Sequence, residues 1–191
     1  MKRLFIAFKL TLAPEYGTLI ENLKKGTRFD EIKWVEGDLQ HLTLKFLGKT
    51  PDTKIASLCQ ILAETARQTE SFNLKINKLG VFGSRYHPTT LWLGFEKQPV
   101  LNQLFEKVES RLTQELGFEP NDGNFVPHLT LGRIKKIDSK KRFWNLFESS
   151  QPNYFQEFTI NEMILYRSQL EKAGPIYTEM GKWKLGIVSR V

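Results

Sequence analysis

Apolar residues fall along this chain in two rhythms, one of period two and one near 3.6, and their succession lays out the elements. In FNLKIN, residues 72–77, Phe72, Leu74 and Ile76 alternate with Asn73, Lys75 and Asn77, which predicts a half-buried strand. LFIAFK at 4–9 and LWLGFE at 91–96 read as strands as well, and each is followed by a helical rhythm, over residues 14–25 and 100–116. In the second of these helices Leu101, Leu104, Phe105, Val108 and Leu112 share one face. A further helix carries Ile55, Leu58, Leu62 and Ala66 as its stripe, with Asp52 as the expected N-cap. A shorter one spans 139–147 with Phe143, Trp144 and Phe147, and a strand near 176–183 closes the tail. Residues 80–88 read as a hinge, and Phe46, Trp92 and Phe95 read as core.

The pattern repeats. HLTL occurs at 41–44 and at 128–131, an offset of 87, and the same offset carries LFIAFK onto LWLGFE. FNLKIN at 72 is matched by FTINEM at 158, one residue short of that register, with the drift in loop sequence. Three segments in step predict an internal duplication. The expected architecture is α+β: one bilobal domain over 1–191, with repeat halves of about 1–85 and 86–191. Its two pseudo-symmetric lobes of mainly antiparallel sheet are backed by helices and flank a central cleft.

Composition narrows the classes. Hydrophobic residues make up 40% and aromatics 12% of the chain, which excludes a disordered segment. No apolar run reaches the roughly 18 residues of a membrane span, and MKRLFIAFKL runs into Lys9 and Pro14 with no small-residue cleavage site, so no signal peptide is expected. Cys59 is the only cysteine, so no intrachain disulfide is possible and a cytoplasmic home is expected; three scattered histidines give no zinc-site spacing. The charge of +7, from 28 basic and 21 acidic residues, suits a phosphate-bearing partner.

Two of the three histidines sit in the repeated tetrapeptide. On a strand His41 and Thr43 project to one face while Leu42 and Leu44 enter the core, and His128 and Thr130 do the same against Leu129 and Leu131. In-line displacement at phosphorus needs a base and an acid on opposite sides, and an imidazole with an ordinary pKa near 6.5 can serve as either. Two imidazoles and two threonine hydroxyls facing one ligand would therefore open a phosphodiester without a metal or other cofactor. Strict alternation turns Arg133 away from His128 unless the strand twists or ends there, and His87 has no counterpart in the other half.

Paired H-x-T motifs in a duplicated chain of this length resemble the 2H phosphoesterase superfamily. KWVEGDLQHLTLKFLG, LWLG and VPHLTLGR are similar to the RNA 2′,3′-cyclic phosphodiesterases, also called 2′-5′ RNA ligases. That resemblance implies two lobes around a cleft with both chain ends in one lobe, and metal-independent hydrolysis of RNA 2′,3′-cyclic phosphate ends to 2′-phosphates. By position it implies His41 as proton donor to the departing 3′ oxygen and His128 as proton acceptor from water. Thr43 and Thr130 become phosphate ligands, and Arg133 a further phosphate or RNA contact. Where the family often has Arg-Pro before the LWLG strand, this chain has His87-Pro88-Thr89-Thr90, leaving Arg85 as the candidate substitute. The alternatives are 2′-5′ ligation, a phosphodiesterase for a small cyclic nucleotide, and a non-catalytic RNA- or nucleotide-binding module. No membrane and no obligate protein partner is implied.

Overall fold

A computed structural model describes residues 1–171 and 174–186. Among these, nine strands and four α-helices follow in the order β1 (Lys2–Lys9), α1 (Pro14–Gly26), β2 (Glu31–Trp34), β3 (His41–Thr50), α2 (Ile55–Arg67), β4 (Phe72–Gly83), β5 (Pro88–Phe95), α3 (Pro99–Leu116), β6 (His128–Lys136), α4 (Lys140–Ser149), β7 (Glu157–Ile160), β8 (Glu162–Glu171) and β9 (Gly174–Lys184). Strand order is β7-β4-β5-β6-β3-β1-β8-β9, all antiparallel, with β2 added alongside β6. The class is the expected α+β.

One apolar cluster runs through the whole sheet, taking Leu4, Ile6 and Phe8 from β1, Leu42 and Leu44 from β3, Leu129 and Leu131 from β6, and Leu58, Leu62, Leu104 and Val108 from the helices behind. α3 forms for legible reasons. The Gln98 side chain accepts from Val100 N, Pro99 starts the first turn where its missing N–H costs nothing, and Gly117 at φ 63° closes the last turn with a left-handed cap. A smaller cluster of Phe5, Ala7, Ile164 and Tyr166 lies apart from it, joined by Tyr177.

β3 and β6 join the two lobes. On one side β3 and β1, the first strand, lie with β8 and β9, the last described strand; on the other, β6, β5, β4 and β7 lie with β2. Each lobe draws strands from both halves of the sequence, since β4 pairs with β5 and β7 while β8 pairs with β1. The expected hinge at 80–88 is therefore a hairpin. Residues 80–83 continue β4 and pair with β5, because Val81 and Phe82 extend its alternation, leaving 84–87 as the turn. Asp52 does not cap α2 directly: it opens a short 3-10 turn before that helix and pairs with Lys2 and the N-terminal amine. β2 and β8 have no explicit counterpart in the sequence-based reading.

Lys45 is buried, with 1% of its side chain exposed, and its Nζ donates to Glu109 Oε1 and Oε2 at 2.8 and 2.9 Å, to Glu119 O at 2.9 Å and to Asn121 Oδ1 at 3.2 Å. The network ties β3 to α3 and to the loop that leads into His128. Lys45→Met leaves Glu109 without its cation and lowers unfolding free energy by about 3 kcal/mol or more, measured by urea denaturation. A change under about 1 kcal/mol, the scale of an exposed pair, would remove Lys45 from the anchoring role.

Candidate active site

β3 meets β6 at Leu42↔Leu129, and both leucines are fully buried. Antiparallel geometry then sets His41 opposite Thr130 and Thr43 opposite His128, with all four side chains on the face away from the leucines. All four are half-buried. His41 and His128 are thus diagonal partners on this ladder, a relation that sets residues about 7–8 Å apart on one face.

The two imidazoles are held alike. His41 Nδ1 lies 2.6 Å from Leu39 O and His128 Nδ1 lies 2.8 Å from Val126 O, in each case the carbonyl two residues back. A carbonyl only accepts, so Nδ1 carries the proton and Nε2 is the working nitrogen of each ring. Neither Nε2 has a hydrogen-bond partner among the described residues. Phe5 lies 5.0 Å from His41, and Trp92, 87 residues after Phe5, lies 6.1 Å from His128. Tyr177 meets His41 edge-on at 5.3 Å, as Phe82 meets His128 at 4.7 Å. These aromatic walls fix ring orientation and exclude water from one side. Trp92 itself lies flat against Gly80, where any Cβ would overlap the indole.

Just past the histidine motif the alternation breaks in both strands, at the same place. Ile6 pairs with Lys45 and Ala7 with Thr43, so Leu44 is an extra residue in β3. Leu91 pairs with Gly132 and Trp92 with Thr130, so Leu131 is the extra residue in β6. These bulges, 87 residues apart, turn Lys45 and Gly132 inward and bring the next residue to the open face. In β6 that residue is Arg133. Strict alternation points it away from His128; the bulge brings it round, beside Lys33 and Thr90. In β3 the same position is Phe46, which is 59% exposed and packs on Phe5 at 6.0 Å. Alternation places Phe46 in the core, and the bulge makes it instead an open apolar ring beside Phe5, which itself lies against His41; Trp92 and Phe95 are buried as expected.

Charge follows from this arrangement. Burial pulls the His41 pKa below the ordinary value; the Leu39 carbonyl opposes it, and the charges of His128 and Arg133 push further down. Burial also lowers His128, against the Val126 carbonyl and with help from Arg133. Arg133 also acts on Tyr177, whose hydroxyl burial holds in the protonated form, so its guanidinium is felt on both sides of the site. The singly protonated pair thus peaks below the ordinary histidine pKa of about 6.5 in the free protein. A bound phosphate anion favours the cationic rings and moves both titrations up. kcat/KM, which reports the free protein, should be bell-shaped with its optimum on the acid side of about 6.5, and the kcat profile should lie at higher pH. Coincident profiles centred above about pH 7 would refute this electrostatic account.

Arg85 is not part of this cluster. It sits in the exposed turn between β4 and β5, pairs with Glu148 at 3.2 Å and lies over Trp144 at 5.4 Å. His87 is exposed in the same turn. Among the described residues no three His, Cys, Asp or Glu side chains gather as a metal site, and no helix is long and apolar enough to cross a membrane.

Residues 19–171 match the family described as the 2′-5′ RNA ligase superfamily. The RNA 2′,3′-cyclic phosphodiesterase of Aquifex aeolicus is 36% identical over 156 residues, covering 81% of this chain and 82% of that protein. Its namesake in Methanocaldococcus jannaschii is 30% identical over 184 residues, covering 95% and 99%. Among solved structures, a Thermus thermophilus protein designated TT0787 superposes with a TM-score of 0.77 at 26% identity, over 96% of this chain and 97% of that one. E. coli LigT complexed with 3′-AMP has the same fold, with a TM-score of 0.76 at 24% identity over 96% and 98%.

Proposed function

Because the chain belongs to the 2′-5′ RNA ligase superfamily, we propose that it hydrolyses RNA 2′,3′-cyclic phosphate ends to 2′-phosphates by acid–base catalysis between two histidines. One observation carries the reading: two imidazoles on adjacent strands each have Nδ1 committed to a backbone carbonyl and Nε2 free on the same open face. Binding alone would not call for a matched acid and base.

The cyclic phosphate sits between the rings. His128 Nε2, unprotonated, takes a proton from water as its oxygen attacks phosphorus in line with the 3′ oxygen. The bond from phosphorus to the 3′ oxygen breaks, and His41 Nε2–H gives its proton to that oxygen. The products are a 2′-phosphate and a free 3′ hydroxyl, with one proton moved from His41 to His128 by way of the substrate. The Thr43 and Thr130 hydroxyls donate to the non-bridging oxygens, where charge is held through the transition state. Arg133 adds a cation on the same side, and the exposed face of Phe46 offers a stacking surface for the terminal base. The assignment of His41 as donor and His128 as acceptor comes from their positions in the two motifs. A cytoplasmic setting goes with this function and with Cys59 as a free thiol.

The test is an oligoribonucleotide ending in a 2′,3′-cyclic phosphate, with products separated as 2′- and 3′-phosphates and with an RNA bearing a 5′ hydroxyl offered in parallel. The expected product is the 2′-phosphate, formed at the same rate with or without EDTA. A 3′-phosphate product, or activity lost in EDTA and restored by a divalent ion, would sink the mechanism. A dominant 2′-5′-joined product would instead make ligation the activity.

A further inference from the structure

The residues beyond Arg133, at the far end of the same sheet, have no part in the chemistry above, yet they are built as a surface. Across β2 and β6, Lys33 stands directly opposite Arg133, and Lys135 follows two residues on along β6; all three are exposed. At that end three connections converge: the loop before β2, the turn between β4 and β5, and the start of α4. Each contributes an exposed feature. Phe29 is 62% exposed, with Arg28 at 4.5 Å and Arg142 at 5.2 Å from its ring. Tyr86 is 75% exposed, with Lys140 at 5.7 Å.

These rings are supported rather than loose. Arg142 is fixed by Asp30 at 3.2 Å, whose side chain is wholly covered, and Asp138 N donates to the same carboxylate at 2.9 Å. Trp144 Nε1 donates to Arg85 O at 3.1 Å and ties the β4–β5 turn to α4. An exposed aromatic ring flanked by cations, repeated beside a strip of lysines, is the chemistry that receives stacked bases and their phosphates. A protein partner with an acidic face would be met by the lysines but would leave Phe29 and Tyr86 without a role.

We infer that this end of the sheet binds the nucleotides lying 5′ of the reacting end, so that the preferred substrate is a single-stranded RNA rather than a cyclic mononucleotide. The inference rests on the cyclic phosphodiesterase reading. A 2′,3′-cyclic phosphate is a 3′ terminus, so the rest of the strand must leave the site in one direction. Lys33, Arg133 and Lys135 lead from the histidines to the two aromatic platforms.

The experiment compares a 2′,3′-cyclic mononucleotide with oligoribonucleotides of increasing length bearing the same end, over a range of salt. For the wild-type protein kcat/KM should rise by about tenfold or more with length at low salt. Each phosphate neutralised contributes about −0.7 to the log–log salt slope, so the oligonucleotide slope should be steeper than the mononucleotide slope by about two if three phosphates are engaged. Phe29→Ser and Tyr86→Ser should each lower the oligonucleotide value by about tenfold, the loss of one stacked base. Arg28→Gln with Lys140→Gln should flatten the salt slope. All four side chains are exposed or flank exposed rings, so thermal unfolding and mononucleotide hydrolysis, within about twofold, should be unchanged. Equal kcat/KM at every length, or variants that act identically on long and short substrates, overturns the inference while leaving the phosphodiesterase reading in place. Failure to hydrolyse either substrate overturns both.

Discussion

Alanine at His41 or at His128 is expected to lower kcat/KM on a cyclic-phosphate RNA end by about 10²–10⁴-fold, the scale of a lost proton transfer in the transition state. Replacing both should cost little more than replacing either, because a base without its acid already stalls the in-line displacement. Loss of activity in these variants can be told apart from loss of fold. Both rings stand on the open face, half-buried, while the neighbouring leucines carry the packing. Removing an imidazole frees the Leu39 or Val126 carbonyl, and neither of those residues is buried, so water can take the vacated bond. Each variant should therefore fold, as circular dichroism and thermal unfolding would report. A folded His128→Ala protein with near wild-type turnover would remove the paired-histidine mechanism.

The two histidines should separate when the leaving group is changed. A substrate whose leaving oxygen is more acidic than a ribose 3′ hydroxyl departs without a proton, so it needs the acid less and the base as much as before. On an activated cyclic ester, His41→Ala should regain a large part of its deficit, up to about the 10²–10⁴-fold that proton donation supplies, while His128→Ala stays impaired. A pH profile cannot make this assignment, since its limbs belong to the coupled pair. The near-equivalence of the two sites gives the experiment its value: both rings have the same carbonyl bond, comparable aromatic walls and the same direction of pKa shift. Preferential rescue of His128→Ala would exchange the roles and keep the site.

What breaks the equivalence is the residue after each bulge, Arg133 in one strand and Phe46 in the other. Neither placement is legible from alternation. Alternation counts residues and assumes one per step, whereas a bulge adds one and flips everything beyond it. For that reason Arg133 reads as pointing away and Phe46 reads as core. The signal is faint but present: HLTLKFLG and HLTLGRIK keep their leucines two apart and then put an apolar residue three further on, at Leu47 and Ile134. That slip of phase marks where the extra residue enters.

Local periodicity was enough to give the strands that carry the two H-x-T motifs, the faces on which those side chains lie, the main helices, and the offset of 87 that links Phe5 to Trp92 and His41 to His128. A strand or helix must bury one side, and that need is written into the spacing of its own residues. Long-range packing was needed to establish that Leu42 meets Leu129, that β4 joins β5 and β7 while β8 joins β1, and that Phe82 and Tyr177 close on the two imidazoles. Pairing between strands far apart in the chain is selected by the fit of whole faces and by register. No short stretch encodes either, because each strand's pattern satisfies several partners equally until all of them are packed together.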